Sequence, residues 1–136
     1  MVRRTHPEGM AEFYDARHMG YEEHVVETVT DLDSFYRSIA GPIPETNETL
    51  QILDIGCGIG LELHAVLSRA PKALITGIDL SAGMLRRLRR TSVERLDQLT
   101  LIEGFYLNVP LGDSLSDYAM AVMTLHHLLP ARKTEL

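Results

Sequence analysis

Three glycines at alternate positions, Gly56, Gly58 and Gly60, lie between two acids, Asp54 and Asp79, in a stretch that opens LQILDIGCGIGLEL at residue 50. Glycine permits positive φ and lets a ligand approach main chain that a Cβ would shield. The dinucleotide fingerprint is G-x-G-x-x-G, but here the third glycine comes one residue early and position 61 is Leu. A carboxylate at Asp54, two residues before the loop, is a poor neighbour for a diphosphate and a good one for an ammonium or sulfonium. Asp79 follows Gly60 by nineteen residues, where an acid can accept both hydroxyls of a ribose. Its alternative role is to cap the next helix, although Ser81 is the better-placed cap. For the glycines themselves, the alternative is a tight turn that holds nothing.

Other reactive side chains carry less. Cys57 sits inside the glycine loop as a small side chain, without a partnered base to make it a nucleophile. His126 and His127 are adjacent, so their side chains diverge, and no spaced acid or histidine accompanies them; a metal site is not expected. One of them could serve as a base toward an acceptor, or hydrogen-bond the loop backbone. Arg86, Arg87, Arg89 and Arg90 read as a solvated helix face rather than an RNA contact. Met84, Met120 and Met123 fit core packing.

These residues need elements to position them. Apolar residues recur at helical intervals between residues 10 and 39, predicting one or two amphipathic helices with a break near Gly20. The segment GPIPETNET, residues 41–49, reads as a connection. Strands are predicted at 51–55, 73–78, 99–103 and 118–125, with helices at 61–70, stopped before Pro71, and at 82–96. Alternating strands and helices indicate a mainly parallel sheet in an α/β fold. The carboxyl ends of those strands carry Asp54 with the glycines, Asp79, Glu103 with Gly104, and His126 with His127. Ligands bind along that edge of such a sheet.

At 136 residues, 45% hydrophobic and 24% charged, the chain has the size and balance of one globular domain. No apolar run is long enough to span a membrane, and the two N-terminal arginines precede no apolar signal core. One cysteine rules out an internal disulfide and fits a reducing cytoplasm. The net charge of −6 gives no nucleic-acid footprint. It is concentrated at the front: residues 1–49 hold four Arg against ten Asp and Glu, while residues 50–136 hold nine basic against nine acidic groups. Residues 1–49 are therefore taken as a helical lead-in and 50–136 as the core.

The segments LDIGCGIG (53–60), TGIDLSAGML (76–85) and LSDYAMAVMTLHHL (115–128) resemble the class I, Rossmann-like S-adenosylmethionine-dependent methyltransferases. The resemblance implies a three-layer sandwich of which about four of the usual seven strands are present, the core being cut short at its C-terminal end. It implies that Gly56, Cys57, Gly58 and Gly60 border the cofactor, that Asp54 orients its amino-acid end, that Asp79 takes the ribose hydroxyls and that Leu80 packs on adenine. The family usually places an acid after the glycine that follows the third strand. Here Phe105 follows Gly104, leaving adenine to main-chain groups and to Phe105 or Tyr106 against its face. The segment AEFYDARHMGYEEH (11–24) is similar to a helix that folds over the cofactor, offering Tyr14, Arg17, Tyr21 and His24, with Arg17 on the cofactor carboxylate; the alternative is that the aromatics pack the helix and the charges are solvated. The expected activity is methyl transfer to a small molecule. The alternatives are a dinucleotide-binding domain and a catalytically silent cofactor-binding module. The very apolar fourth strand would form an exposed sheet edge, a place for self-association.

Overall fold

The computed structural model describes residues 11, 12, 15, 31–112, 116–125, 128 and 130–135. Helix α1 (Leu32–Ala40) starts at Asp31, whose side chain accepts from the Ser34 amide at 3.1 Å. It buries Tyr36 and Ala40 and leaves its Asp33–Arg37 pair to solvent. The connection that follows is tied down by Arg69, which donates to the Ile43 carbonyl at 2.6 Å and to Glu45 at 3.1 Å.

Four strands follow: β1 (Gln51–Ile55), β2 (Leu74–Asp79), β3 (Leu99–Glu103) and β4 (Tyr118–Met120). They form one parallel sheet in the order β3-β2-β1-β4. Two α-helices, α2 (Leu63–Arg69) and α3 (Ala82–Thr91), make the β1–β2 and β2–β3 crossovers. Both crossovers step the same way across the sheet, and a fixed crossover hand puts both helices on one face. Ile52 and Ile75 meet Leu63, Val66, Leu67, Leu85 and Leu88 there in one buried cluster. On the opposite face Ile78 packs with Phe105, Tyr106 and Leu128, flanked by Leu53 and Ile55.

The first and third strands lie where the sequence places them. The predicted second helix is shorter: α3 ends at Thr91, and a 3₁₀ segment, Val93–Gln98, leads into β3. Gln98 fixes that segment by donating its amide to the carbonyls of Pro71 and Ala73, both at 2.9 Å. Strand β4 also ends early, at Met120 rather than near residue 125. The chain bends instead, with Met123 at φ 54°, a costly backbone state for a residue with a long side chain. Among the described residues β4 pairs only with β1, in a register held by Asp117, whose side chain accepts from the Gln51 amide at 2.7 Å. No described helix is long and apolar enough to cross a membrane.

Gly77, in the middle of β2, is opposite Asp54 in the sheet. A Cβ there would come within 2.8 Å of the Cys57 sulfur and 3.1 Å of Leu101. Gly77→Ala is therefore expected to destabilise the fold by about 1–3 kcal/mol through overpacking. Cys57→Ala should recover part of that loss in the double variant, as read by thermal or urea unfolding.

Candidate active site

Strand order reverses between β1, followed on one side by β2 and β3, and β4 on the other. The crevice outside the strand ends at such a point is where open parallel sheets take ligands. The glycine loop lies there, folded over the end of β2: the amides of Gly56 and Cys57 both donate to the Ile78 carbonyl, at 2.8 and 3.1 Å. All three loop glycines have positive φ, 69°, 54° and 74°. At two of them the main demand comes from the protein itself. A Cβ on Gly56 would fall 2.1 Å from the Thr124 hydroxyl, and one on Gly60 would fall 2.6 Å from Leu88. A small cavity adjoins the loop, lined by Tyr36, Glu62, Val122 and Met123 as well as the glycines. Its water-sized space is only about 10 Å³, so a larger ligand enters only as a wall gives way.

Asp79 ends β2 and clamps the loop. One of its oxygens accepts from the Gly58 amide and the other from the Ser81 amide, each at 2.8 Å. The carboxylate keeps acceptor capacity for a further hydroxyl donor. Burial raises the Asp79 pKa, while the Ser81, Gly58 and Leu80 amides hold it back. Ser81 caps α3 as the sequence predicts, accepting from the Met84 amide at 3.1 Å. Asp15 of the lead-in joins this turn, accepting from the Ser81 hydroxyl at 2.6 Å and the Gly83 amide at 2.7 Å.

Asp54 is fully buried at the end of β1, and neither of its oxygens meets a fixed donor. Within hydrogen-bond reach lies the carboxyl of Glu62, itself buried at the start of α2. A carboxyl can donate to another only when it holds a proton. Burial, then the negative charges of Glu62 and Asp79, pushes the Asp54 pKa well up; burial also raises that of Glu62. Cys57 points into the core beside Gly77, and burial among Asp54, Asp79 and Glu62 raises its thiol pKa. Its side chain is a packing group, leaving its main chain to border the loop.

Phe105 and Tyr106 are buried in the second core cluster, with Leu80 packed at its margin. The Arg132 guanidinium lies 5.4 Å from the centre of the Phe105 ring. The Tyr106 hydroxyl has no well-aligned partner, although Thr124 is beside it. Burial raises its pKa, and Thr124 and Arg132 partly offset this. Tyr14, Arg17, Tyr21, His24, His126 and His127 lie outside the described residues. Three participants escaped the sequence reading, Glu62, Asp15 and Thr124, while Met123, expected in the core, is half-buried on the cavity wall. Only Glu62 left a signal, a lone acid between two leucines at a helix start. A larger groove of about 670 Å³ runs between α2 and α3, lined by His64, Arg87 and Arg90. It lies on the helical face and takes in neither Asp54 nor Asp79.

The family described as "methyltransferase domain" matches residues 52–136. The chain belongs to that family. It is 46% identical over 68 residues to trans-aconitate 2-methyltransferase of Afipia carboxidovorans, a match covering 50% of this chain and 25% of that protein. It is 28% identical over 127 residues to malonyl-[acyl-carrier protein] O-methyltransferase of Geobacter sulfurreducens, covering 93% of this chain and 43% of that one. The structure also resembles Haemonchus contortus phosphoethanolamine N-methyltransferase 1, solved with phosphoethanolamine and S-adenosylhomocysteine. That likeness has TM-score 0.71 at 17% identity, over 94% of this chain and 27% of that chain, and shows the shared fold. The chain thus spans less than half the length of these two curated relatives.

The residues present suit the family's cofactor, S-adenosylmethionine. Asp54 offers a buried carboxylate without a fixed donor, as an ammonium requires, and Asp79 retains acceptor capacity for hydroxyls. Holding Asp54 ready has a cost. Above pH about 5 an unfolded chain has released both carboxyl protons, whereas burial favours the protonated forms in the native pair. The native state then binds more protons, so stability falls as pH rises toward the raised pKa values. Asp54→Asn is expected to raise the melting temperature of the ligand-free protein at pH 8, by roughly 3–5 °C for each kcal/mol gained, and to flatten its pH dependence. Thermal unfolding between pH 5 and 8 checks this; a lower melting temperature throughout would contradict it.

Proposed function

We propose that the protein is an S-adenosylmethionine-dependent methyltransferase acting on a small molecule. The observation that carries this is Asp54: a fully buried carboxylate, neither oxygen partnered by a fixed donor, at the end of the central strand beside a positive-φ glycine loop. A buried anion needs a compensating cation or a proton, and the amino-acid end of this cofactor brings an ammonium. The same loop would repel a dinucleotide, because Asp54, Glu62 and Asp79 all raise the negative potential around Cys57.

Bound S-adenosylmethionine would supply an electrophilic methyl group on a cationic sulfur, taken in line by an oxygen, nitrogen, carbon or sulfur nucleophile of the acceptor. The chain's own part is to orient and to exclude water. Asp54 orients the ammonium and Asp79 accepts from the ribose hydroxyls. The main chain of Gly56, Cys57, Gly58 and Gly60 borders the ligand, while Leu80, Phe105 and Tyr106 form the apolar side toward adenine. Residues 1–49 act as a cover over the core of residues 50–136, bringing Tyr14, Arg17 and Tyr21 to the site. The hydrogen bonds from Ser81 and Gly83 to Asp15 support that placement. His126 or His127 serves as base where the acceptor must lose a proton. The relatives act on trans-aconitate and on malonyl-[acyl-carrier protein], which supports a carbon-chain metabolite over nucleic acid, as does the acidic net charge. A cytoplasmic protein, self-associating through the β4 edge, completes the reading.

Calorimetric titration separates this reading from its rivals. S-adenosylmethionine and S-adenosylhomocysteine are expected to bind, and NAD is not. Asp79→Asn should weaken S-adenosylhomocysteine by about tenfold or more, the scale of a charged hydrogen bond. Tighter binding of NAD than of either sulfur compound would overturn the reading. Binding without methyl transfer to any acceptor would leave the protein a silent module.

A further inference from the structure

Glu62 is a second buried acid that the cofactor reading leaves without a task. It sits at the start of α2, is 5% exposed, and lines the same small cavity as Gly56, Gly58 and Gly60. Its carboxyl lies within hydrogen-bond reach of Asp54, which has no fixed donor of its own. Two carboxylates this close and this deep cannot both stay ionised without a cation, since each repels the other in a medium that screens poorly.

The neighbours of the pair make the point stronger. From β2 comes Asp79, a third acid that pushes the Asp54 pKa up, and from the loop the Cys57 thiol, whose pKa burial raises. From β4 Met120 stands opposite Asp54 in register, and α3 contributes Leu85 and Leu88 to the buried cluster beneath. Among the described residues, none of the groups acting on Asp54 or Glu62 is a cation.

We propose that Asp54 and Glu62 share one proton in the ligand-free protein, and that the ammonium of the bound cofactor displaces it, so that cofactor binding releases a proton and Glu62 acts as a second anchor for the amino-acid end. The exchange balances: a proton leaves to solvent, the pair goes from one negative charge to two, and an ammonium brings one positive charge in. Affinity for the cofactor then rises with pH until the pair ionises unaided, which makes the site responsive to acidification. Glu62 is a positioning residue toward Asp54 and a binding residue toward the ammonium. This rests on the cofactor reading, and its failure is separable from failure of that reading.

The test is calorimetry with S-adenosylhomocysteine on the full chain, run from pH 6 to 8 in two buffers of different ionisation enthalpy. The wild type should release close to one proton per ligand at the acid end, with affinity falling about tenfold per pH unit there. In Glu62→Gln the amide can donate to an ionised Asp54, so ligand binding should persist without proton release and with a flat pH profile. 5′-Methylthioadenosine, which lacks the amino-acid end, should bind the wild type without releasing a proton. Binding of S-adenosylhomocysteine with no proton released by the wild type would overturn the inference alone. The same follows from an equal release in Glu62→Gln, confirmed folded by its circular dichroism. No binding at any pH would overturn the cofactor reading itself.

Discussion

The site hangs on the carboxylate of Asp79. Its two oxygens accept from Gly58 on one side and Ser81 on the other, both at 2.8 Å, so one side chain joins the loop after β1 to the turn after β2. Neither segment has a regular ladder of its own there, and buried amides without partners are costly. The clamp satisfies both and fixes the loop's height above the sheet. The Ile78 carbonyl, just before it in sequence, takes the amides of Gly56 and Cys57. The end of β2 is thus the anvil on which the glycine loop is shaped.

Against this rigid frame stands a group that the protein leaves unsettled. Asp54 lies one strand away, fully buried, with the carboxyl of another acid, Glu62, within hydrogen-bond reach. Stable cores avoid such pairs, because desolvation of two like charges has no compensating attraction. Keeping it beside a well-braced loop is the arrangement of a binding site whose favourable partner arrives from outside. The backbone of Met123, at φ 54°, is a second departure from relaxed geometry on the same cavity wall. Strain of this kind gathers at ligand sites because surrounding structure must hold it in place.

Most of the architecture was legible in the residues. β1 and β3 read true because short β-branched apolar runs bounded by turn residues have few other solutions, and Ser81 because a serine before an apolar helical period is a strong cap. The loop was legible as a ligand site, but the reason for its glycines was only half visible. Gly56 answers to Thr124, nearly seventy positions away, and Gly60 to Leu88; contacts at that separation leave no local pattern. The early end of β4 was hidden for a related reason. Its apolar run continues in sequence, while the chain bends at Met123 and the pairing ends at Met120. Glu62 was missed because a single acid in a helical stretch ordinarily faces water, and only the packed structure shows it turned inward.

The contact between Gly56 and Thr124 ties the loop after β1 to the segment after β4, so the two sides of the crevice are not free to change independently. Any side chain at position 56 collides with the threonine, and any bulkier residue at position 124 presses on the loop. The two positions form a lock whose parts must be inherited together. Across related sequences, glycine at the first should travel with a small or hydroxyl-bearing residue at the second. A lineage that remodels the segment after β4 to suit a new acceptor therefore does so within limits set by the cofactor loop.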